Sequence, residues 1–440
     1  MHWIKEGKGR ALFSVAWGLV LLAAITQASW QRRGVPLAEE MSAQALLKGA
    51  IFALLGFLGF WRLLKNPGKF RLTLAHGFGA LFFLWANVSA LYSPLPHLSF
   101  FTAASSVAIF VYLLSLSDKE RQDREVVLRS VFLGLTILTL SSGIAYFLVP
   151  ALFVEKVGYV TRLRGLAGHP NALAEAAGAT IIFFVLLYLP KWYFDSRWKF
   201  LLGLVLLASS VLILWATNGR AAMIALFLTL LLAGMVDIVL RRKERILALL
   251  GLVLVLIAVG SVISPWQQLE AADWEAILSA LSRRRRPEEI MTLTGRTGIW
   301  QEVGHLIEEN MITGYGYRSG EDVLLSLGLP VHTHNMYLEL LFSLGLVGTF
   351  LFLIVLGWTG YRNLWRWLLF GDGISRTRSA LLLFIVLVGL TNRAAVGNTT
   401  ILFVLFWALV VDTFADDYRV GGGYAMESRA LFGVERRPIR

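Results

Sequence analysis

Long apolar segments separated by short polar ones run along almost the whole chain. A helix that crosses a bilayer needs about 20 mostly apolar residues, and about twelve segments approach that requirement. They lie near residues 11–29, 46–64, 71–92, 98–116, 127–149, 171–190, 200–216, 221–240, 246–264, 336–358, 379–392 and 397–413. The pattern predicts an all-α polytopic membrane protein of about twelve transmembrane helices. The last two segments are short and close together, so they are the least clear of the set.

The composition agrees with this prediction. The chain has 440 residues, of which 57% are apolar and only 16% are charged, whereas about a quarter of the residues in a soluble domain are charged. So little charge could not cover a water-soluble globule of this size, and lipid must therefore be most of the solvent. The sequence contains no cysteine, which excludes disulfides, thiolate metal ligands and cysteine nucleophiles.

Lysine and arginine concentrate in alternate connecting segments, which predicts the orientation. The basic segments are the N-terminus, 65–70, 117–126, 191–199, 241–245, 361–378 and the C-terminal tail. With twelve spans they all fall on one side, which the positive-inside rule assigns to the cytoplasm, together with both termini. Facing anionic lipid, these segments also explain the net charge of +12. Because no phosphate loop or base-stacking module accompanies the charge, no nucleic acid is expected as a partner.

Two segments predicted to lie outside break the charge pattern. One is 150–170, and the other is the long segment 265–335, which contains Arg296, Arg318 and the run Arg283–Arg286. Long loops escape the positive-inside rule, so the topology stands. Membrane insertion does not require basic charge outside, and its presence there suggests an anionic ligand. The run Arg283–Arg286 either faces lipid headgroups or attracts a phosphorylated lipid acceptor.

The long segment is expected to be partly helical. Apolar spacing from Trp266 to Leu281 predicts an amphipathic helix lying on the membrane, and Thr294 could cap a second helix over Thr297 to Glu308. The chain thus divides into four parts. They are helices one to nine (1–264), a periplasmic loop domain (265–335), helices ten to twelve (336–415) and a cytoplasmic tail (416–440).

Two arginines are candidates for binding an anion at the outer ends of helices. Arg220 follows Thr217-Asn218-Gly219 at the junction of the seventh and eighth spans, although an arginine that snorkels to the interface would look the same. Arg296 lies at the predicted start of a helix, where a cation opposes the helix dipole unless an anion is bound. A solvated loop arginine is the alternative interpretation there.

Histidines and further arginines flank two other outer junctions. His332, His334 and Asn335 precede the tenth span, and a histidine at this boundary can accept and return a proton near neutral pH. An interfacial histidine pair without chemistry remains an alternative. Since no third ligand is spaced nearby, no metal is expected. Before the sixth span lie Arg162, Arg164 and His169; Arg164 could join an anion site or face phospholipid headgroups.

These motifs together resemble one family. His334-Asn335, followed after nine residues by Gly345-Leu346-Val347-Gly348, resembles a signature of the bacterial O-antigen ligase family. Similar to the same family are Gly219-Arg220, Thr294-Gly295-Arg296 with Ile299-Trp300, and Arg164-Gly165 with Pro170-Asn171-Ala172-Leu173-Ala174. The resemblance covers roughly residues 160–350, and before it only the hydropathy layout matches.

The resemblance implies a fold, a reaction and roles for residues. It implies about twelve helices, with one large, partly helical periplasmic loop between the ninth and tenth, in the bacterial inner membrane. A glycan would pass from undecaprenyl diphosphate to lipid A–core oligosaccharide on the periplasmic face, without cofactor or metal. His334 would be the base, and Arg220, Arg296 and Arg164 would bind the diphosphate. His332, Asn335, His169 and Arg162 would support them.

Rival functions remain open at this point. An O-antigen polymerase and a protein O-oligosaccharyltransferase belong to the same superfamily and differ in the acceptor, which the sequence does not reveal. A transporter of lipid-linked sugars is of another class. It predicts paired broken helices or ionisable residues at mid-membrane in both halves, whereas the polar residues here concentrate at one outer edge.

Overall fold

The computed structural model describes residues 43–65, 67, 72–116, 126–157, 160–241, 296–329, 332–397 and 399–415. The predicted spans at 11–29 and 246–264, the amphipathic helix at 266–281, the run Arg283–Arg286 and the tail at 416–440 lie outside these residues.

The described part of the chain is helical apart from one small hairpin. The helices are α1 (Ala43–Lys65), α2 (Leu74–Val88), α3 (Pro96–Leu116), α4 (Val126–Leu148), α5 (Pro150–Phe153), α6 (Pro170–Phe183), α7 (Leu189–Asp195), α8 (Arg197–Ala216), α9 (Arg220–Arg241), α10 (Arg296–Glu309), α11 (Gly320–Ser326), α12 (Met336–Phe370), α13 (Gly373–Gly389) and α14 (Ile401–Ala415). A π-helical turn, Phe184–Tyr188, joins α6 to α7. Seven of the described helices are long and apolar enough to cross a membrane. The protein is therefore a multi-pass membrane protein, as predicted.

The hairpin is an exception to the all-helical prediction. Strand β1 (Val154–Val157) pairs antiparallel with β2 (Val160–Leu163), in the predicted outer segment 150–170. Each strand has only four residues, too few for a clear alternation of apolar and polar positions. The ladder gives the backbone groups of this segment their hydrogen bonds.

Helix α12 is longer than the predicted span 336–358. It has 35 residues, which corresponds to about 52 Å at 1.5 Å per residue and exceeds a hydrocarbon core of about 30 Å. The predicted basic segment 361–378 was therefore wrong as a loop, since only Gly371 and Asp372 separate α12 from α13. Gly371 ends α12 in the left-handed conformation, and the Asp372 side chain caps α13.

The least clear pair of predicted spans corresponds to two real helices, α13 and α14. Every residue from Ile401 to Phe414 is buried, so α14 is a central helix. Its Trp407 packs in an aromatic cluster with Phe82, Phe83, Phe110, Phe403 and Phe406. Large apolar side chains such as Phe57 and Phe350 remain exposed on the outside of the bundle, where lipid is the solvent.

Candidate active site

A four-residue turn, His332–Asn335, leads into α12 at the end of the bundle that carries the predicted outer segments, called here the outer end. Asn335 caps α12, and its Oδ1 accepts hydrogen bonds from the amides of Tyr337 (2.9 Å) and Leu338 (3.2 Å). Both the amide and the hydroxyl of Thr333 donate to Glu339 Oε2, and Trp300 Nε1 of α10 donates to the Thr333 carbonyl over 2.8 Å. The turn is thus fixed from two helices.

The two histidines of this turn lie against each other. Their ring centroids are 3.9 Å apart with the planes at 78°, and His334 has a positive φ of 55°. The buried Nδ1 of His334 has no hydrogen-bond partner in the part of the chain that the structure describes. The two rings thus form an edge-to-face pair.

Burial and neighbouring positive charge keep both imidazoles neutral. Desolvation, followed by the charges of His332, Arg296 and Arg393, lowers the pKa of His334 to about 2. Desolvation, with Arg393 as the next largest cause, lowers the pKa of His332 to about 3. At neutral pH both rings therefore carry an unprotonated nitrogen, which is the form that can accept a proton.

Arg296 is the first residue of α10, as the sequence predicted for a helix over 297–308. Its Nη1 donates to the backbone carbonyl of Thr391 over 2.5 Å, and its charge acts on both histidines. Val303 and Ile307 bury one face of α10 in a small core with Leu324 and Phe342. This packing holds the arginine against the rest of the site.

Arg220 is the first residue of α9 and lies beside the start of α6. A Cβ atom on Gly219 would lie only 2.4 Å from the Cβ of Ala174, so the glycine permits the close approach of these helix starts. The Thr217 hydroxyl accepts from the Gly219 amide over 3.1 Å. A guanidinium among the free amides of a helix N-terminus favours a bound anion.

Two of the predicted arginines make bonds to the protein backbone. Arg162 is buried; its Nε donates to the Thr217 carbonyl (3.0 Å) and its Nη2 to Asn171 Oδ1 (2.7 Å), which ties the hairpin to α6 and α8. Arg164 donates twice to the Leu152 carbonyl, at 3.1 and 2.8 Å. Their suggested parts in diphosphate binding stay predictions.

His169 is the residue before α6 and is also its N-cap. Its Nδ1 accepts from the Asn171 amide over 3.1 Å, and its charged form would act on both histidines of the turn. The structure thus brings His169, Arg296, His332 and His334 into one electrostatic neighbourhood.

The predicted site residues did not include the segment between α13 and α14. Thr391 accepts the bond from Arg296, and Leu390 accepts one from Asn335 Nδ2 over 3.2 Å. Asn392 donates to the buried carboxyl group of Glu175 in α6, and Arg393 acts on both histidines. The signal available in the sequence was the polar stretch Thr391-Asn392-Arg393 between two apolar segments.

The glycines of the predicted signature mark a break inside α12. Gly345 has φ 61° and ψ −164°, which interrupts the helix. Loop backbone fills the break: the amides of Tyr315 and Gly316 donate to the carbonyls of Phe342 and Ser343, each over 2.9 Å. Trp85 Nε1 of α2 donates to the Leu344 carbonyl over 3.0 Å. The nine residues between Asn335 and Gly345 therefore form a separate half-helix that carries the histidine turn.

Comparison with known proteins gave one family. Residues 204–353 match the family described as O-antigen ligase. This segment contains Arg220, Arg296 and His334, whereas His169, Glu175 and Arg393 lie outside it. The comparison with curated protein sequences gave no match. Among the described residues, no group of three or more His, Asp or Glu side chains is arranged to hold a metal ion.

Proposed function

We propose that this chain, whose residues 204–353 match the family described as O-antigen ligase, transfers a glycan from undecaprenyl diphosphate to a hydroxyl of lipid A–core oligosaccharide. The transfer takes place on the periplasmic face of the bacterial inner membrane. The observation that carries this proposal is the histidine pair His332 and His334 at the outer end of a membrane bundle, where Arg296 and Asn335 bond to the chain just before Arg393. The charges of Arg296 and Arg393 act on His334 there.

The proposed glycan transfer uses the imidazole of His334 and the guanidinium groups of Arg220 and Arg296. The acceptor hydroxyl attacks the anomeric carbon, and the bond from that carbon to the diphosphate oxygen breaks. A ring nitrogen of His334 accepts the hydroxyl proton, while Arg220 and Arg296 stabilise the negative charge that grows on the departing diphosphate. Direct displacement inverts the anomeric carbon. Because the diphosphate is already a good leaving group, the proposed reaction uses neither a metal nor a nucleotide.

Binding of the donor also prepares the base. In the free protein, desolvation and the nearby positive charges hold the pKa of His334 far below 6.5. A diphosphate brings negative charge next to the same arginines, which raises the proton affinity of the imidazole. The base therefore gains strength in the complex, where the proton has to be taken.

The rival functions differ in what the site must bind. A polymerase or a protein O-oligosaccharyltransferase uses the same donor chemistry with another acceptor. A transporter needs broken helices in which the backbone groups at the break are available to bind the transported solute. The break at Gly345 is instead filled by residues 311–316 and by Trp85, which favours an enzyme over a transporter.

The test is a transfer assay with purified protein in nanodiscs. The donor is undecaprenyl-diphosphate-linked glycan, and the parallel acceptors are rough lipopolysaccharide, a second donor molecule and an acceptor peptide. We expect transfer to lipopolysaccharide alone, with chelator present; elongation of the glycan or glycosylation of the peptide would identify a rival. His334→Ala should abolish transfer. The exposed His305 lies on α10, so His305→Ala is the matched control, and normal turnover of His334→Ala would refute the base.

A further inference from the structure

The segment Thr391–Gly397, which joins α13 to α14 at the outer end, faces the histidine turn. We propose that Arg393 in this segment is a further binding residue for the diphosphate of the donor. We also infer that Glu175 is a positioning residue that holds Arg393 through Asn392. The inference rests on the proposed function, and it concerns residues outside the segment that matches the family.

The charges of both Arg393 and Arg296 act on the histidine pair. Among the charged groups, Arg393 has the largest effect on His332, ahead of Arg296, whereas Arg296 acts more strongly than Arg393 on His334. Coulomb interactions fall with distance, so both guanidinium groups belong to the surroundings of the histidine pair. An anion bound in front of the two rings would be attracted by both charges.

The segment is fixed to three other elements of the site. The Arg296 side chain of α10 donates to the Thr391 carbonyl, and the Asn335 amide group at the start of α12 donates to the Leu390 carbonyl. The third anchor is α6, through Asn392 and Glu175. Two residues of the predicted site, Arg296 and Asn335, therefore help to place the segment that carries Arg393.

The bond from Asn392 gives a partner to a carboxyl group in an unusual place, that of Glu175. Glu175 is buried in an apolar helix, between Leu173 and Ala176, which are also buried. An ionisable side chain in such a position is expensive and is usually functional. Its oxygen accepts from Asn392 Nδ2, and Asn392 Oδ1 accepts from the Arg393 amide over 3.0 Å. One asparagine thus links the Glu175 carboxyl group to the backbone of Arg393.

The local backbone leaves little freedom for Arg393. Ala394 and Gly397 have positive φ values of 43° and 77°, and the Val396 amide donates to the Arg393 carbonyl over 3.1 Å. The Thr400 hydroxyl donates to the Ala394 carbonyl over 2.5 Å. The turn is closed by its own bonds, and the link to Glu175 sets its position against α6.

A binding experiment separates this inference from the proposed function. The probe is undecaprenyl diphosphate without a glycan, titrated onto the purified protein in nanodiscs, with undecaprenol as the uncharged control. Arg393→Gln should weaken binding of the diphosphate by about tenfold or more, which is the loss of one charge-assisted contact. Arg393→Lys should be intermediate, and binding of undecaprenol should not change. Arg197→Gln, at an exposed arginine on α8, is the matched control.

The outcomes of that titration are distinct. If the wild-type protein does not bind undecaprenyl diphosphate more tightly than undecaprenol, the proposed function and this inference both fail. If the wild-type protein binds it and Arg296→Gln weakens binding while Arg393→Gln does not, the part assigned to Arg393 is overturned and the proposed function stands.

The positioning role of Glu175 is tested separately, by steady-state kinetics of the transfer reaction. Asn392→Ala should raise the KM for the donor as Arg393→Gln does, and the double variant should be no worse than Arg393→Gln alone. Glu175→Gln keeps an oxygen that can accept from Asn392, so it should recover most of what Glu175→Ala loses. Additive losses in the double variant, or equal losses in the two Glu175 variants, would overturn the positioning role.

Discussion

The backbones of Gly345 and Gly314 touch: a Cβ atom on Gly314 would lie 2.6 Å from the amide nitrogen of Gly345. Both residues have positive φ, 61° and 70°, and a Cβ on Gly345 would lie 2.2 Å from the Ile312 carbonyl oxygen. The contact locks the loop that follows α10 into the break of α12. It therefore links the helix that carries Arg296 to the half-helix that follows His334.

The first prediction concerns this contact. Gly345→Ala meets both a backbone clash and an unfavourable φ, so we expect a loss of stability of at least about 2 kcal/mol together with a loss of transfer. The measurement is thermal unfolding in detergent, followed by the transfer assay on the folded fraction. Gly357→Ala, in the same helix and with open space around its Cβ position, is the control and should be neutral or slightly stabilising.

The second prediction concerns pH. The pKa values of His332 and His334 are lowered to about 3 and about 2 in the folded protein, against an ordinary value near 6.5. Below pH 6.5 the unfolded chain binds protons that the folded protein does not, so this stability is complete above pH 6.5 and is lost as the pH falls towards 3.

Thermal unfolding at pH 7.5, 6.5, 5.5 and 4.5 measures that dependence. The double variant His332→Asn/His334→Asn should lose less stability between pH 6.5 and 4.5 than the wild type. The difference in the free energy of unfolding should be up to about 1.4 kcal/mol for each histidine and each pH unit. His305→Asn, at an exposed position, should leave the slope unchanged. Parallel slopes for the wild type and the double variant would contradict the burial of the pair.

Much of the fold could be predicted because lipid as the solvent imposes a strong pattern. A helix such as α8 must be apolar where it crosses the hydrocarbon core, and the start of α10 at Arg296 was predicted to within one residue from its capping pattern. The hairpin β1–β2 could not be predicted, since its short strands are stabilised by pairing with each other. The end of α12 was missed because its last turns extend beyond the apolar stretch with charged side chains such as Arg362 and Arg366.

The candidate site was predictable only in part, for a related reason. Arg220, Arg296 and His334 stand at helix starts, which leave a local signal in the sequence. Arg393 leaves only a short polar stretch between two apolar segments, because its place depends on bonds between distant residues, such as those from Arg296 to Thr391 and from Asn392 to Glu175. Only the folded structure brings these partners together.

The third prediction concerns the inner end of the bundle, opposite the site. Arg378 of α13 is fully buried and pairs with Asp412 of α14, with Nη2 and Oδ2 2.5 Å apart. Removing one partner leaves an uncompensated buried charge, so Arg378→Met should cost about 3–5 kcal/mol.

The double variant Arg378→Met/Asp412→Leu should recover most of that loss, because neither charge then remains buried. Both can be measured by thermal unfolding in detergent. Transfer per folded molecule should stay at the wild-type level in the double variant, since the pair lies at the other end of α13 and α14. A double variant no more stable than Arg378→Met would argue against this account.

The last prediction concerns the approach of α9 to α6. Because a Cβ on Gly219 would lie 2.4 Å from the Cβ of Ala174, Gly219→Ala forces the two helix starts apart. It should therefore lower transfer by displacing Arg220, while folding survives through the rest of both helices. Ala174→Gly removes the opposing methyl group, so the double variant Gly219→Ala/Ala174→Gly should regain activity that Gly219→Ala has lost. The donor KM and kcat of the wild type, the two single variants and the double variant form a double-mutant cycle. The losses in kcat/KM are non-additive, with the double variant better than the sum of the single effects, only if the two positions are in contact. If Ala174→Gly fails to rescue Gly219→Ala while Ala174→Gly alone is active, the close packing at this junction does not control the placement of Arg220.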